Sequence, residues 1–446
     1  MAKTYDTYKD SGIAWIGNIP SGWSTIKNKY LYSLLYSGGT PTASEGKFYT
    51  EEGCPFVAIS DMSTTEYVTE TKKHLTEDGI ANKNLKILPS GTILYSIYAT
   101  VGVVSELMID ATISQAMLAI ELKSKINKSY YKYNLKAMKD YIFSQANGNT
   151  QFNLNAEKVS NFVFCFPPLS EQQAIATYLN KKCGEIDSLI SLQEEMISEL
   201  QAYKQSVITE AVTKGLDPNV PMKDSGVKWI GMIPVNWNII KINRLFSFMG
   251  GYAFNSNDYS KEETKCQVVR IGNVKNDYLK LEASPVYITE KISHAASKFK
   301  LKSGYIVFTM TGTKGKRDYF YTLLLKDYHL KEKELYLNQR VGCFIPISEQ
   351  IDVRYYDYLL KDRSILDSIF LYETGTANQG NLGIESINRT ILQFPPLSEQ
   401  QAIASYLDEK TSQIDSLIAL KQEKITELKD YKKSIIYEYV TGKKKV

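Results

Sequence analysis

Two long stretches of the chain place apolar residues three, four and seven positions apart, which is the pattern of a helix that packs along a narrow seam. The predicted seam residues are Ile186, Leu189, Ile190, Ile197, Leu200, Tyr203, Val207 and Ala211 in the first stretch, and Ile414, Leu417, Ile418, Ile425, Leu428, Tyr431 and Ile435 in the second. Because the rest of each surface is charged or polar, we expect the two helices to pack on each other. The alternative is that each helix packs on the globular segment beside it.

Both helices begin with the same sequence signals. The Pro167–Pro168 pair cannot continue a helix from upstream. Ser170 is predicted to cap the first helix in a capping box with Gln173, and Ser398 repeats this with Gln401 in the second helix. The sequence thus predicts two helices with the same kind of N-terminus.

The segments before the two helices carry strand and helix signals in a shared order. Runs of β-branched and aromatic residues bounded by turn residues predict strands at 56–60, 92–98, 268–272 and 305–311. Amphipathic helices are predicted over Tyr130–Phe143 and Asp352–Phe370, each followed by a Gly/Asn/Gln loop. The fold class predicted for both segments is α/β (α+β), in two copies.

The chain is an internal duplication. Residues 9–23 read KDSGIAWIGNIPSGW and residues 223–237 read KDSGVKWIGMIPVNW, while FPPLSEQQAIA occurs at both 166–176 and 394–404. The segments between these motifs, 24–165 and 238–393, have diverged. Repeated motifs that are retained around segments that have diverged suggest one scaffold that presents two specificities. Neutral drift of these segments is the alternative.

Composition narrows the class of protein only slightly. A chain of 446 residues predicts two or three domains. The net charge of +4 permits nucleic-acid binding without arguing for it. The five cysteines are widely spaced with no Cys-x-x-Cys, which fits a reducing cytoplasm. The N-terminus has no apolar signal segment, and no run of about 18 apolar residues predicts a membrane span.

Motifs for catalysis are not found in the sequence. No Asn-Pro-Pro-Tyr or Walker loop occurs, and the segment 312–316 resembles only half of a phosphate loop. His74, His294 and His329 have no metal-ligand spacing. Cys165 lies in an apolar run and is interpreted as a core residue. A fused methyltransferase or nuclease, and a coiled-coil scaffold with no DNA role, remain the alternatives to a DNA-binding protein.

The two repeated motifs, in this order and each occurring twice, closely resemble those of the specificity subunit of type I restriction-modification systems. The resemblance covers essentially the whole chain. It implies a non-catalytic, cytoplasmic, DNA-binding subunit whose two target recognition domains each read one half of a bipartite, asymmetric DNA site, in an internal pseudo-two-fold arrangement. It also implies that the long helices pack antiparallel, in the manner of a coiled coil, as a spacer between the half-sites.

The resemblance also implies domain boundaries and partners for bacterial defence. Recognition domains are expected at 1–165 and 217–393, and spacer helices at 166–216 and 394–446. Two methyltransferase subunits and two restriction-motor subunits are the expected protein partners. S-adenosylmethionine, ATP and Mg would belong to those partners, with no cofactor or metal in this chain.

Direct reading of bases requires Arg or Lys for guanine and Asn or Gln for adenine, on loops or strand ends. The candidate DNA-binding residues in the first half are Ser60, Asp61, Tyr98, Thr100, Gln115, Asn149 and Gln151. Those in the second half are Arg270, Asn273, Thr311, Lys314, Lys316, Arg317, Gln339, Arg340, Asn378 and Gln379. Each could equally contact a phosphate or be a solvated loop residue.

Overall fold

The structure is a computed structural model that describes residues 3–42, 46–62, 66–98, 100–144, 154–376 and 379–446. The chain divides into two compact units. Unit 1 comprises Met1–Glu195 together with Lys421–Val446, and unit 2 comprises Met196–Leu420.

Unit 1 contains a mixed β-sheet and a smaller second sheet. Its strands are β1 (Tyr8–Asp10), β2 (Asn18–Pro20), β3 (Ser24–Lys27), β4 (Tyr32–Ser37), β5 (Tyr49–Thr50), β6 (Cys54–Val57), β7 (Tyr67–Val68), β8 (Lys73–Leu75), β9 (Ile93–Ser96), β10 (Val104–Leu107), β11 (Thr112–Ile113), β12 (Met117–Leu122) and β13 (Val163–Phe166). The larger sheet has the order β4-β12-β9-β10-β7, and the smaller has the order β11-β6-β8-β5. Paired strands β1-β2 and β13-β3 complete the unit.

Unit 1 also contains α-helices. They are α1 (Ile59–Met62), α2 (Glu77–Asn82), α3 (Lys128–Ser144), α4 (Ala156–Ser160) and the first part of α5 (Leu169–Lys214). One face of α3 packs on the large sheet through Tyr131 and Leu135. Its other face contacts the first repeated motif and the long helices, where Tyr130 joins a cluster with Trp23 and Leu179. The predicted helix at 130–143 is confirmed.

Unit 2 repeats this architecture. Its strands are β14 (Met222–Asp224), β15 (Met232–Pro234), β16 (Asn238–Lys241), β17 (Phe246–Gly250), β18 (Tyr259–Ser260), β19 (Cys266–Val269), β20 (Val274–Lys275), β21 (Tyr278–Leu279), β22 (Tyr287–Ile288), β23 (Ile306–Thr309), β24 (Thr311–Gly312), β25 (Thr322–Leu324), β26 (Glu334–Leu337), β27 (Val341–Pro346), β28 (Thr374–Thr376), β29 (Gln379–Asn381) and β30 (Ile391–Phe394). The larger sheets have the orders β17-β27-β23-β25 and β18-β22-β19-β26, and a third has the order β24-β29-β28.

The helices of unit 2 are α6 (Glu290–Ala295), α7 (Val353–Leu359), α8 (Arg363–Phe370), α9 (Ile384–Asn388) and the first part of α10 (Leu397–Val440), whose last part belongs to unit 1. The single helix predicted over 352–370 is wrong. Asp362 separates α7 from α8, because its extended backbone stops the first helix and its side chain accepts a hydrogen bond from Ser364 N to cap the second. Trp237, Phe308 and Tyr355 lie in the core.

Corresponding strands of the two units pair in the same way. In unit 1, β12 pairs antiparallel with β9 and β4, and β11 pairs parallel with β6. In unit 2, β27 pairs antiparallel with β23 and β17, and β26 pairs parallel with β19. The four strands predicted from sequence are present but end earlier than expected. Duplication of one fold therefore persists where the sequences have diverged.

Each long helix begins one residue before its predicted cap. Helix α5 begins at Leu169, and the carbonyl of Pro168 accepts hydrogen bonds from Glu171 N at 2.9 Å and Gln172 N at 3.0 Å. Ser170 therefore lies inside the first turn, and the predicted capping box is wrong. The same holds for α10, which begins at Leu397.

Within each unit the two long helices run antiparallel and are joined by an ion pair. In unit 2, Lys204 Nζ contacts both carboxylate oxygens of Asp415 at 2.8 Å. In unit 1, Lys432 Nζ contacts both carboxylate oxygens of Asp187 at 2.6 Å. The two ion pairs occupy equivalent positions of the duplication, because Lys432 corresponds to Lys204 and Asp187 corresponds to Asp415. The predicted packing of helix on helix is confirmed.

The seam itself is narrower than predicted. Ile186, Ile197 and Ala211 are buried in the first helix, and Ile414, Ile425 and Ile435 are buried in the second. Leu189, Leu417, Tyr203 and Tyr431 are exposed, so their assignment to the seam is wrong. These side chains lie at the border of the apolar stripe, where a periodicity of 3.5 or 3.6 residues does not decide between burial and exposure.

Candidate nucleic-acid interface

The glutamine at 172 and its repeat at 400 explain why the second motif is retained. Gln172 Nε2 donates to Pro167 O at 2.9 Å, and its Oε1 accepts from Asn127 N at 3.1 Å. Gln400 repeats this geometry in unit 2. The motif thus ties the start of each long helix to the start of a helix in the recognition fold.

The first motif contacts the second. In unit 1, Trp23 Nε1 donates to Glu171 Oε2 at 2.8 Å, and Tyr5 OH donates to the same carboxylate. In unit 2, Trp237 is buried and packs edge-on against Tyr355. These contacts hold the repeated motifs in place. The residues that recognise DNA must therefore be sought in the diverged segments 24–165 and 238–393.

Four candidate residues of unit 2 meet where strand β23 ends and strand β27 begins. Met310 N donates to Arg340 O at 3.1 Å, and Leu382 N donates to Met310 O at 3.1 Å. The cavity formed there has a volume of about 330 Å³. Its lining residues are Met310, Thr311, Gln339, Arg340, Gln379, Asn381 and Leu382. We call this cavity the unit 2 cradle.

Asn381 is a cradle residue that the sequence reasoning did not select. It lies two positions after Gln379 on the same strand, and residues two apart on a strand face the same side. Gln379 Nε2 donates to Asn381 Oδ1 at 3.4 Å, so the two amides are neighbours. The period of two in this strand was the signal that could have identified it.

The basic loop at 313–317 is anchored beside the cradle. Lys314 Nζ donates to Gly375 O at 2.8 Å, and Gly315 N donates to Glu373 Oε2 at 3.0 Å. Tyr319 OH donates to Glu373 Oε1 at 2.6 Å, and burial followed by this bond raises the pKa of Tyr319. Lys316 is exposed on the same loop. These bonds fix the loop in place as a basic surface segment, and it does not form a nucleotide-binding phosphate loop.

Three other candidates of unit 2 lie outside the cradle. Arg317 forms an ion pair with Asp367 and lies over the ring of Phe370, in a different cavity. Arg270 donates from Nη2 to Ser284 O at 2.6 Å. Asn273 is only 3% exposed; its Oδ1 accepts from Arg270 N at 2.8 Å and its Nδ2 donates to Lys280 O at 2.8 Å. Asn273 therefore supports a loop, and its burial argues against base contact.

Unit 1 has the corresponding edge between β9 and β12. Ile97 N donates to Ala116 O at 2.9 Å, and Leu154 N donates to Ile97 O at 3.1 Å, as Met310 and Leu382 do in unit 2. This brings Tyr98 next to the turn that holds Gln115, and both side chains are exposed.

The other described candidates of unit 1 lie on neighbouring loops. Thr100 is exposed. Ser60 is exposed on α1, while Asp61 Oδ2 accepts from Ala58 N at 2.9 Å and so supports its own loop. The predicted residues Asn149 and Gln151 of unit 1, and Asn378 of unit 2, lie outside the described residues.

In the described part of the chain, no cluster of three or more His, Cys, Asp or Glu side chains could hold a metal ion. Cys165 is buried in strand β13 as predicted, and burial raises the pKa of its thiol to about 12. Among the described helices, none has the length and apolar character needed to cross a bilayer.

Comparison with known proteins gives one consistent result. The model of the type I restriction modification DNA specificity domain matches residues 20–202 and again residues 234–430. The specificity subunit of the type I restriction enzyme MjaVIII from Methanocaldococcus jannaschii is 28% identical over 75% of this chain and 74% of its own length. The putative MjaX specificity subunit of the same organism is 24% identical over 97% of this chain and 96% of its own length.

A solved structure has the same fold. It is described as the structural basis of complex assembly and conformational transition of the type I R-M system, and it superposes with a TM-score of 0.65. The superposition covers 95% of this chain and 98% of that chain at 14% identity. The chain, which carries the specificity domain twice, belongs to the type I restriction-modification specificity subunits, a non-catalytic family of DNA-recognition proteins.

Proposed function

We propose that each unit reads one half of a bipartite DNA site and that the two half-sites differ in sequence. The observation that carries this proposal is the repeated polar edge, which has the same backbone hydrogen bonds in both units and different side chains. Tyr98 and Ala116 stand in unit 1 where unit 2 has Thr311 and Arg340. Different side chains on one backbone frame favour different bases.

Within unit 2 we propose a division of labour between base and phosphate contacts. Gln339, Arg340, Gln379 and Thr311 line the cradle and are proposed to read base edges. Arg270, Lys314, Lys316 and Arg317 lie outside it and are proposed to contact phosphates, which position the protein on the duplex without selecting its sequence. Asn378 is proposed to join the base-reading set because it adjoins Gln379 in sequence.

In unit 1, the proposed DNA contacts are made from the equivalent edge and the loops beside it. The residues are Ser60, Tyr98, Thr100, Gln115, Asn149 and Gln151. Tyr98 offers a ring and a hydroxyl, and Gln115 offers a donor and an acceptor. Because Asp61 already supports its loop, we propose that it contributes by holding Ser60 in place.

We propose that the chain divides by function at residues 165, 216 and 393. Recognition domains would occupy 1–165 and 217–393, and the spacer helices would occupy 166–216 and 394–446. The support is that both long helices are continuous and that each unit pairs the beginning of one with the end of the other. The number of residues in the helices would then set the gap between half-sites.

We propose that two methyltransferase subunits dock on the long helices, one on each unit. The support is a set of large apolar side chains that the helices expose in matched positions of the repeat. The pairs are Leu189 with Leu417, Leu192 with Leu420, and Tyr203 with Tyr431, each between 47% and 61% exposed. Exposed apolar side chains that recur in both copies fit two copies of one partner.

The docking proposal has a direct test. The double substitution of Leu189 and Leu192 by Ser should remove one methyltransferase subunit from the complex, and the same change at Leu417 and Leu420 should remove the other. Mass measurement of the assembled complex gives the stoichiometry. Loss of neither subunit, or of both from one double variant, would contradict docking one per unit.

The remaining partners are proposed from the family. Two restriction-motor subunits would join the complex, and S-adenosylmethionine, ATP and Mg would be bound by the partner subunits. A cytoplasmic location is proposed because the five cysteines are unpaired thiols.

Genome-wide mapping of methylated bases tests the central proposal. A host that expresses this chain with a type I methyltransferase subunit that assembles with it should gain a motif of two short, unlike half-sites around an unspecified gap. A host without the chain should lack it. An assembled complex that produces no new motif would refute target recognition and favour a scaffold.

A further inference from the structure

Gln115 in unit 1 and Gln339 in unit 2 occupy equivalent positions of the duplicated fold. Each begins the turn that enters an internal strand of the larger sheet, β12 in unit 1 or β27 in unit 2. The residue before each turn donates its backbone N–H to the end of the neighbouring parallel strand: Ser114 N to Val57 O at 3.0 Å, and Asn338 N to Val269 O at 3.1 Å. The correspondence therefore rests on hydrogen bonds and register and not on sequence similarity.

The backbone packs equally tightly behind both turns. A β-carbon placed on Gly38 would lie 2.1 Å from Ile113 O, and one placed on Gly251 would lie 2.0 Å from Asn338 O. Neither position can accept a side chain, so a glycine is required behind each turn. The two glutamines are thus presented from the same rigid geometry.

The side chains around the two glutamines have changed while the glutamines have not. Ala116 follows Gln115, whereas Arg340 follows Gln339, and the adjacent strand end carries Tyr98 in one unit and Thr311 in the other. Both glutamines are exposed, and no hydrogen bond joins either side-chain amide to a residue that the structure describes. Neither burial nor internal bonding accounts for a shared glutamine.

A glutamine amide matches one base in particular. Its carbonyl accepts and its NH₂ donates side by side, which fits N6–H₂ and N7 of adenine in the major groove. We propose that Gln115 and Gln339 each bind an adenine, so that both half-sites contain an A·T pair at the corresponding position. This inference rests on the proposed function, in which each unit reads one half-site.

The neighbouring residue then makes the half-sites different. Arg340 carries donors that suit O6 and N7 of guanine, whereas Ala116 offers only a methyl group, which suits the methyl of thymine. A constant adenine reader beside a variable neighbour is a simple way for a duplicated fold to acquire two specificities.

The experiment is methylome mapping of the assembled complex with single variants of the full chain. Gln339→Ala should reduce selectivity for one A·T pair of one half-site by roughly 5- to 150-fold, and Gln115→Ala should do the same in the other half-site. Gln339→Glu should shift the preferred base from adenine towards cytosine, since a carboxylate accepts from cytosine N4. Gln401→Ala, an exposed glutamine on a long helix, is the matched control and should leave the motif unchanged.

Each outcome decides the inference. A bipartite wild-type motif with no A·T pair at corresponding positions, or one that either Gln→Ala variant fails to relax, overturns the adenine assignment and leaves the proposed function standing. Absence of any bipartite motif refutes the proposed function and the inference with it. Because both side chains are exposed, the variants should unfold at the wild-type urea concentration, so a changed motif reports recognition and not folding.

Discussion

Gln400 and Gln401 are adjacent at the start of α10, but replacing each by alanine should change the unfolding free energy by very different amounts. Gln400 is fully buried; its Nε2 donates to Pro395 O at 2.8 Å and Gln350 O at 3.2 Å, and its Oε1 accepts from Asp352 N at 2.8 Å. Gln400→Ala removes all three bonds and leaves the Asp352 N–H without this acceptor. At about 1–3 kcal/mol for one unsatisfied buried donor, the unfolding free energy should fall by about 1–3 kcal/mol.

Gln401 provides the control because its side chain is exposed and the structure gives it no hydrogen bond among the described residues. Gln401→Ala should change the unfolding free energy by less than about 0.5 kcal/mol. Urea denaturation of the full chain, followed by tryptophan fluorescence, measures both, since Trp229 and Trp237 lie in unit 2. Equal shifts for the two variants would refute the conclusion that the buried amide holds the frame together.

Three further results are expected. Duplicating Ser198–Gln201 in α5, matched by duplicating Leu417–Leu420 in α10, adds about 6 Å of helix; methylome mapping should show a gap one or two base pairs longer, and altered half-sites would contradict the spacer model. Lys316→Ala should weaken DNA binding equally across sequences and lower the salt slope of the binding constant by about 1, whereas a change of motif would make it a base reader. Burial opposes ionisation of Glu106, but hydrogen bonds and charge from Lys132 and Lys128 lower its pKa below the ordinary value of 4.5. The ionised Glu106 carboxylate therefore makes its full contribution to the unfolding free energy above about pH 4.5, and this contribution is lost as the pH falls through the lowered pKa. Lys132→Met should reduce this acid sensitivity in urea titrations between pH 3 and 6, and an unchanged pH profile would rule the cluster out.

The sequence alone was enough to predict that the long helices and the strands exist and that the chain is duplicated. The seam residues Ile186 and Ile414 recur at helical spacing, and burial of one face of a helix imposes that spacing on any sequence. The repeated motifs were recognised from the identity between the two halves, whereas the caps predicted at Ser170 and Ser398 were wrong because both residues lie inside the first helical turn. The split between α7 and α8 was missed, because apolar spacing alone does not show that Asp362 adopts an extended backbone and caps a second helix.

The sequence by itself therefore determined that one fold occurs twice, with a retained frame and a diverged content. Only the tertiary structure decided which polar residues share a surface. Gln339 and Gln379 lie far apart in the chain and meet in the cradle through strand pairing, whereas Asn273, an equally plausible reader by residue type, is buried beneath its loop. Residue type and spacing report local geometry, but base readout needs side chains that converge from distant segments, and that convergence is set by the register of the sheet.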